Sequence, residues 1–425
     1  MAGHILRFEA NAFSETVYDM PRLAAIRGAS LACLYSPELV ACVLGRQPGI
    51  THQKIYSGAS QGVWRLDGDA AAARAAALGV RAALSMDDPD TAAPHAHMSY
   101  SVVLVDIVRE AAGDELKALA IAEALCATDA MQGDGFPMPV LSRSASNYDR
   151  FGDRSRPANV EVMWPGEEKV VKISAAHHAR RRFGRKQRQT FYEDYSAGAV
   201  QPDRDFSDDF DTMVADPPRD VAKSAGSKTA VFIADGDGLT GMRNAAFEKG
   251  GLAGLGAFSD TLLALQKRLL ASILDWLAQG AKARPDHFLT PEKDGSVYRF
   301  EVLVWGGDEV TIVMPSWLAV EFASKFRRWT RDWAISGKPV TFSAGLVIAN
   351  HKTPIRQSKT VAETLVNLAK QAKKPGTLQI EIFESLSMPD SDFQGYRDRL
   401  YFPDGGANDE QRDRLNADLM MDEQS

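Results

Sequence analysis

Between Lys228 and Leu386 strand-like and helix-like stretches alternate in one order, and that order constrains the fold more than any other feature of the sequence. KTAVFIAD (228–235) is an apolar β-run. A long helical pattern follows, in which Leu262, Leu265, Leu269, Ile273 and Trp276 recur at intervals of three and four. VYRFEVLVW and EVTIVMP then flank Gly306-Gly307-Asp308, a hairpin signal. A second helix carries Leu318, Phe322, Phe326 and Trp329 on one face, KPVTFSAGLVIAN is a strand, and Val361, Leu365, Leu368 and Ala372 mark a third helix. TLQIEIFESL closes the unit as a strand, giving β-α-β-β-α-β-α-β.

The first 110 residues repeat that order in outline. HILRFEA reads as a strand and Phe13 to Leu44 as largely helical. THQKIYSG and GVWRLDG flank Ala59-Ser60-Gln61 as a hairpin, DAAAARAAALGVRAAL is an alanine-rich helix, and YSVVLVDIV is a strand. The expected fold is α/β (α+β): two ferredoxin-like modules at 1–110 and 228–390, with an inserted helical subdomain at 111–195. Residues 196–227 are rich in Asp, Pro, Gly and Ser and read as an acidic linker, and 404–425 as an acidic, disordered tail.

Composition narrows the function classes. A hydrophobic share of 45% and a charged share of 25% suit a globular chain. No apolar run approaching membrane-spanning length stands out, and MAGHILRF lacks a signal-peptide pattern, so the expectation is a cytoplasmic protein with no membrane partner. Cys33, Cys42 and Cys126 form no Cys-x-x-Cys pair, which argues against a disulfide scaffold or a four-cysteine zinc site. His95-x-His97 has no further ligands nearby. The net charge of -7 gives no global attraction to nucleic acid. The one strong basic run, Arg180, Arg181, Arg182, Arg185, Lys186 and Arg188, is a candidate nucleic-acid contact, weighed against a solvated or packed helix face.

The chemistry-bearing residues fall in the second module. Asp235-Gly236-Asp237-Gly238 ends its first strand, and Gly306-Gly307-Asp308-Glu309 forms the hairpin tip. If these lie side by side, up to four carboxylates gather, and their mutual repulsion calls for a divalent cation. Gly306 and Gly307 clear side chains from a close approach, and Gly236 and Gly238 leave backbone N–H groups free for phosphates. Either motif alone is ordinary turn chemistry; together, in one module, they favour a metal site.

ADGDG before a helix, WGGDEV, SAGLVIANHKTPI (343–355) and AKKPG together resemble the palm domain shared by GGDEF-type nucleotide cyclases and the large subunit of type III CRISPR effector complexes. SAGLVIANHKTPI is closer to the CRISPR subunit, as are YDMPRLAAIRGASLA (18–32), IYSGASQG (55–62) and ARRRFGRKQRQTFYE (179–193). The resemblance implies a nucleotidyltransferase that makes a cyclic nucleotide or cyclic oligoadenylate signal from ATP, with release of pyrophosphate, in antiviral defence. It implies two Mg²⁺ or Mn²⁺ ions on Asp235, the Gly236 carbonyl and Asp308, assisted by Glu309 or Asp237. It further implies Lys373 on the terminal phosphates and Ser343 near the base. Expected partners are a nucleoside triphosphate, with RNA and other effector-complex subunits or a second copy of the chain. The rival reading is a catalytically silent palm-containing scaffold that binds RNA and partner proteins.

The departures matter. Arg243 stands where diguanylate cyclases read guanine with Asn, and their Arg-x-x-Asp inhibition motif is missing, which points from cyclic di-GMP towards ATP. Glu309 replaces the CRISPR subunit's usual second Asp. With no His-Asp step and no zinc cysteines, the chain resembles a reduced, two-palm version.

Overall fold

The computed structural model describes residues 3–58, 60–132, 157–163, 170–196, 202–292, 295–372, 375–384 and 393–401. The chain forms two compact units. The first comprises residues 1–191 with 240–264 and 305–307; the second holds the remainder.

In the first unit, β1 (Gly3–Ala10), α1 (Leu23–Gly45), β2 (Ile50–Ser57), β3 (Gln61–Gly68), α2 (Ala70–Ala83) and β4 (Tyr100–Asp106) follow the expected order. The antiparallel sheet runs β2-β3-β1-β4, the ferredoxin-like arrangement. Side chains alternate along β1: Leu6 and Phe8 pack with Trp64, Leu66, Val40 and Val80. Ile5 joins Ile55 and Val105 in a separate core cluster. That cluster also takes Ala118 and Ala122 from α3 (Glu115–Gln132), with Phe247, Leu252 and Leu255.

The segment expected as an inserted helical subdomain does not stand apart. Its described part contains a strand pair, Ala158–Met163 with Val170–Ser174, and a helix, α4 (Ala175–Lys186). Helix α4 packs backbone-to-backbone on α1, because a Cβ on Gly28 would lie 1.9 Å from the Arg180 carbonyl oxygen. A Cβ on Gly184 would lie 2.2 Å from that of Ala24. Against the sequence expectation, α1 is long and apolar enough to cross a membrane by length and composition. It is mostly buried inside this unit, and its Arg27 donates from Nε to the Gly184 carbonyl at 2.7 Å, as befits a core helix.

The second unit contains β5 (Lys228–Gly236), the ends of α5 (Leu239–Ala283), most of β6 (Glu301–Gly306), β7 (Glu309–Pro315), α6 (Ser316–Thr330), β8 (Phe342–Asn350), α7 (Ile355–Gln371) and β9 (Leu378–Ile382). Its sheet runs β6-β7-β5-β8-β9, with β9 parallel to β8. Phe232 packs edge-on to Phe322 and tilted to Phe326 of α6, so even-numbered positions of β5 face that helix. Odd-numbered positions, Asp235 among them, face the other way, where α7 packs. Helix α5 is broken at Gly251, where φ is 58° and ψ is −147°.

Residues 202–227 are not a free linker. Phe206 stacks on Tyr192 with centroids 4.0 Å apart, and Met213 and Val214 are buried. Arg299 donates to the carbonyls of Met213, Ala215 and Asp216. A few apolar anchors and one arginine fix the segment without any periodic pattern, which is why its composition reads as loop. The tail at 404–425 lies outside the described residues.

Candidate active site

The first acidic motif ends β5 and the second opens β7, and their register places them in one row. Asp235 pairs with Glu309 on one side and Ser343 on the other. The Gly236 N–H donates to the Asp308 carbonyl at 3.0 Å, which locks the β5 end to the hairpin tip. A Cβ on Gly236 would lie 2.2 Å from the Leu239 side chain and 3.6 Å from the Asp308 Cβ, so a larger residue there would displace Leu239. Gly307 (φ +65°) makes the turn and Gly238 (φ +69°) starts α5, both in the left-handed region that favours glycine.

The four carboxylates have four different environments. Asp235 pairs with Lys370 of α7 at 2.7 Å. Burial pushes its carboxyl up, Lys370 opposes this, and the neighbouring Asp308 and Asp237 charges add to the rise. Asp308 is exposed at the tip. Both Asp237 oxygens are engaged: its Oδ1 accepts from the Ser343 hydroxyl at 2.6 Å, and its Oδ2 from the Thr341 hydroxyl at 2.7 Å and the Gly376 N–H at 3.1 Å. Glu309 accepts from the Thr311 hydroxyl at 3.1 Å, and burial followed by the Glu363 charge pushes it up to about 7.

The four acids lie within one another's field, but each is differently engaged. Among the described residues no group of three or more His, Cys, Asp or Glu side chains is arranged to hold a metal. Asp237 is occupied by its donors, and Glu309 is drawn into the field of Glu363 and Lys359. What remains is Asp235 and Asp308 with the Gly236 backbone. That donor set is all oxygen and carries like charges, and Lys370 supplies a cation to Asp235. It fits Mg²⁺, which is held by one or two carboxylates plus substrate phosphates rather than by an all-protein cage. Lys370, missed in the sequence, lies three residues before Lys373; the latter falls outside the described residues, as does Ala59.

Glu309 makes a pH prediction for the metal-free chain. Its folded pKa is raised from 4.5 to about 7, so the folded state holds this proton more tightly than the unfolded. Its contribution is most favourable below about pH 4.5 and is lost as pH rises through about 7. Glu309→Gln should match wild type near pH 4.5 and be more stable at pH 8, by on the order of 1–3 kcal/mol. Parallel melting curves that stay superimposed at both pH values would rule this out.

The basic run divides in the structure. Arg180 and Arg188 are buried, Arg181 is partly buried, and Arg182, Arg185 and Lys186 are exposed on α4. Arg180 pairs with Asp19 at 2.6 Å and donates to the Thr16 carbonyl at 3.0 Å, so it is a structural residue and not a nucleic-acid contact.

Residues 228–378 match the family model for the second palm domain of Cas10/Cmr2. The chain carries a Cas10-like palm. No curated protein matches the sequence. Among solved structures it is similar to Csm1 from T. onnurineus, with 15% identity, a TM-score of 0.50, and 89% of this chain and 52% of that chain covered. It is also similar to the apo Csm1–Csm4 cassette (12% identity, TM-score 0.51, 89% and 54% covered). The cassette in complex with cA4 is a further match (14% identity, TM-score 0.50, 89% and 54% covered). At these identities the likeness is one of fold. The chain spans about half the length of the Csm1 chains it matches.

Proposed function

We propose that this chain is a metal-dependent nucleotidyltransferase that makes a cyclic oligoadenylate from ATP, as a palm subunit of a type III CRISPR-like assembly. The observation that carries the reading is the juxtaposition of Asp235 and Asp308, locked by the Gly236–Asp308 backbone hydrogen bond, within the segment that matches the Cas10/Cmr2 palm. The similar cassettes were solved with pppApApA, cA4 and cA3, which supports an adenylate product. Asp235, Asp308 and the Gly236 carbonyl would hold Mg²⁺ or Mn²⁺, which when bound supplies stabilisation of the attacking and leaving oxygens.

The protein's own part is positioning and charge. Gly236 donates its N–H to the Asp308 carbonyl rather than to a phosphate, leaving its own carbonyl as the candidate ligand, and Lys370 provides a point charge of the kind that grips a terminal phosphate. Ser343 donates to Asp237, which fixes its hydroxyl within the sheet rather than free for a base. The Csm1–Csm4 pairing of the matched structures supports a second subunit as partner.

The test is incubation of the purified chain with each labelled nucleoside triphosphate and Mg²⁺ or Mn²⁺, with products resolved by chromatography and mass spectrometry. An ATP-derived cyclic product is expected. Absence of both product and metal-dependent ATP binding would favour the scaffold.

A further inference from the structure

The end of β5 is built twice in this chain, once in each unit. In the first unit Glu9 pairs with Gln61 and Ser101, as Asp235 pairs with Glu309 and Ser343 in the second. The Ala10 N–H donates to the Ser60 carbonyl at 2.7 Å, as Gly236 does to Asp308 at 3.0 Å. The Asn11 N–H donates to the Ser99 carbonyl at 2.8 Å, as Asp237 does to Thr341 at 2.8 Å. The side chains agree as well. Ser101 donates to Asn11 Oδ1 at 2.9 Å, and Asn11 Nδ2 donates to the Ser99 hydroxyl at 3.2 Å. Asp237 takes the same two positions with Ser343 and Thr341.

One device therefore fastens the end of the central strand to its neighbour in both units, and an asparagine suffices for it. The second unit uses a carboxylate at that position, and one contact separates the two: the Gly376 N–H donates to Asp237 Oδ2. An asparagine oriented as Asn11 is, accepting from Ser343 on Oδ1 and donating to Thr341 from its amide, presents an N–H donor where Gly376 needs an acceptor. Gly376 (φ +73°) lies in the connection from α7 to β9, and α7 carries Lys370 in its last turn.

We propose that Asp237 is a positioning residue: its carboxylate ties the Gly376 turn to the end of β5 and so holds the last turn of α7, with Lys370, at Asp235. This replaces the sequence expectation of Asp237 as a metal or nucleotide ligand, and it rests on the proposed function only where triphosphate binding is the readout.

Asp237→Asn separates the fastening from the tether. The full chain carrying it should stay folded with a melting temperature a few degrees lower, exchange the Gly376 amide faster, and bind Mg–ATP about tenfold more weakly. Thr341→Val removes one fastening bond and spares the tether, so it should keep slow Gly376 exchange and wild-type Mg–ATP affinity. Wild-type exchange in both Asp237→Asn and Asp237→Ala would overturn the tether, since alanine leaves no acceptor whichever way the asparagine amide is turned. Faster exchange with unchanged affinity would overturn the positioning role, as would an equal affinity loss in Thr341→Val. A wild-type chain that binds no Mg–ATP would instead remove the proposed function, while exchange at Gly376 would still judge the tether.

Discussion

Asp308→Ala should abolish nucleotidyl transfer while leaving the fold unchanged. The residue is exposed at a hairpin tip, and its structural contact to β5 is made by its backbone carbonyl, which alanine retains. Surface substitutions of this kind shift stability by about 0.5 kcal/mol or less. The activity loss should exceed the roughly 100-fold cost of losing a metal's outer-shell partner, since here the direct carboxylate goes. Asp235→Ala should be as inactive but less benign, because it strips Lys370 of its partner. The check is turnover of labelled ATP together with melting curves for both variants. Wild-type turnover in Asp308→Ala would refute the site assignment, and a collapsed melting curve would refute the claim that Asp308 plays no structural part.

The element order was legible because each strand and helix of both modules carries its own period. Phe232 alternates with Asp235's face, and Phe322 and Phe326 recur at helical spacing on the face they bury. The pairing of Asp235 with the Gly-Gly-Asp tip was legible because a hairpin beside a strand end admits few registers. The uses of the acids were not. Asp237 is decided by Thr341, Ser343 and Gly376, more than a hundred positions away in sequence, and no local pattern announces them. Lys370 and Lys373 are three residues apart in a lysine-rich stretch, and only the rotation of α7 puts the former on Asp235. The small residues of α1 and α4 carried a signal that composition alone does not reveal. Gly28 and Gly184 matter because they meet each other's helix, not because of their neighbours in sequence.

Burial also decides the basic run, and Arg180→Ala should be the most damaging single change within it. Arg180 is fully buried and its guanidinium donates to the Asp19 carboxylate, the Thr16 carbonyl and the His97 carbonyl. Removing it leaves a partly buried carboxylate and two carbonyls without this donor, a loss of about 3–5 kcal/mol for a broken buried pair. Arg180→Lys should recover little, because a single ammonium lacks the planar fork that reaches three acceptors at once. Arg182→Ala, exposed on the same helix, should be close to neutral. Urea unfolding of the three variants separates these cases. If Arg180→Ala unfolds at the wild-type midpoint while losing affinity for RNA, the residue is a nucleic-acid contact after all. If it is destabilised while a folded Arg182→Ala, Arg185→Ala, Lys186→Ala triple variant loses RNA binding, the run divides between structure and surface as its burial dictates.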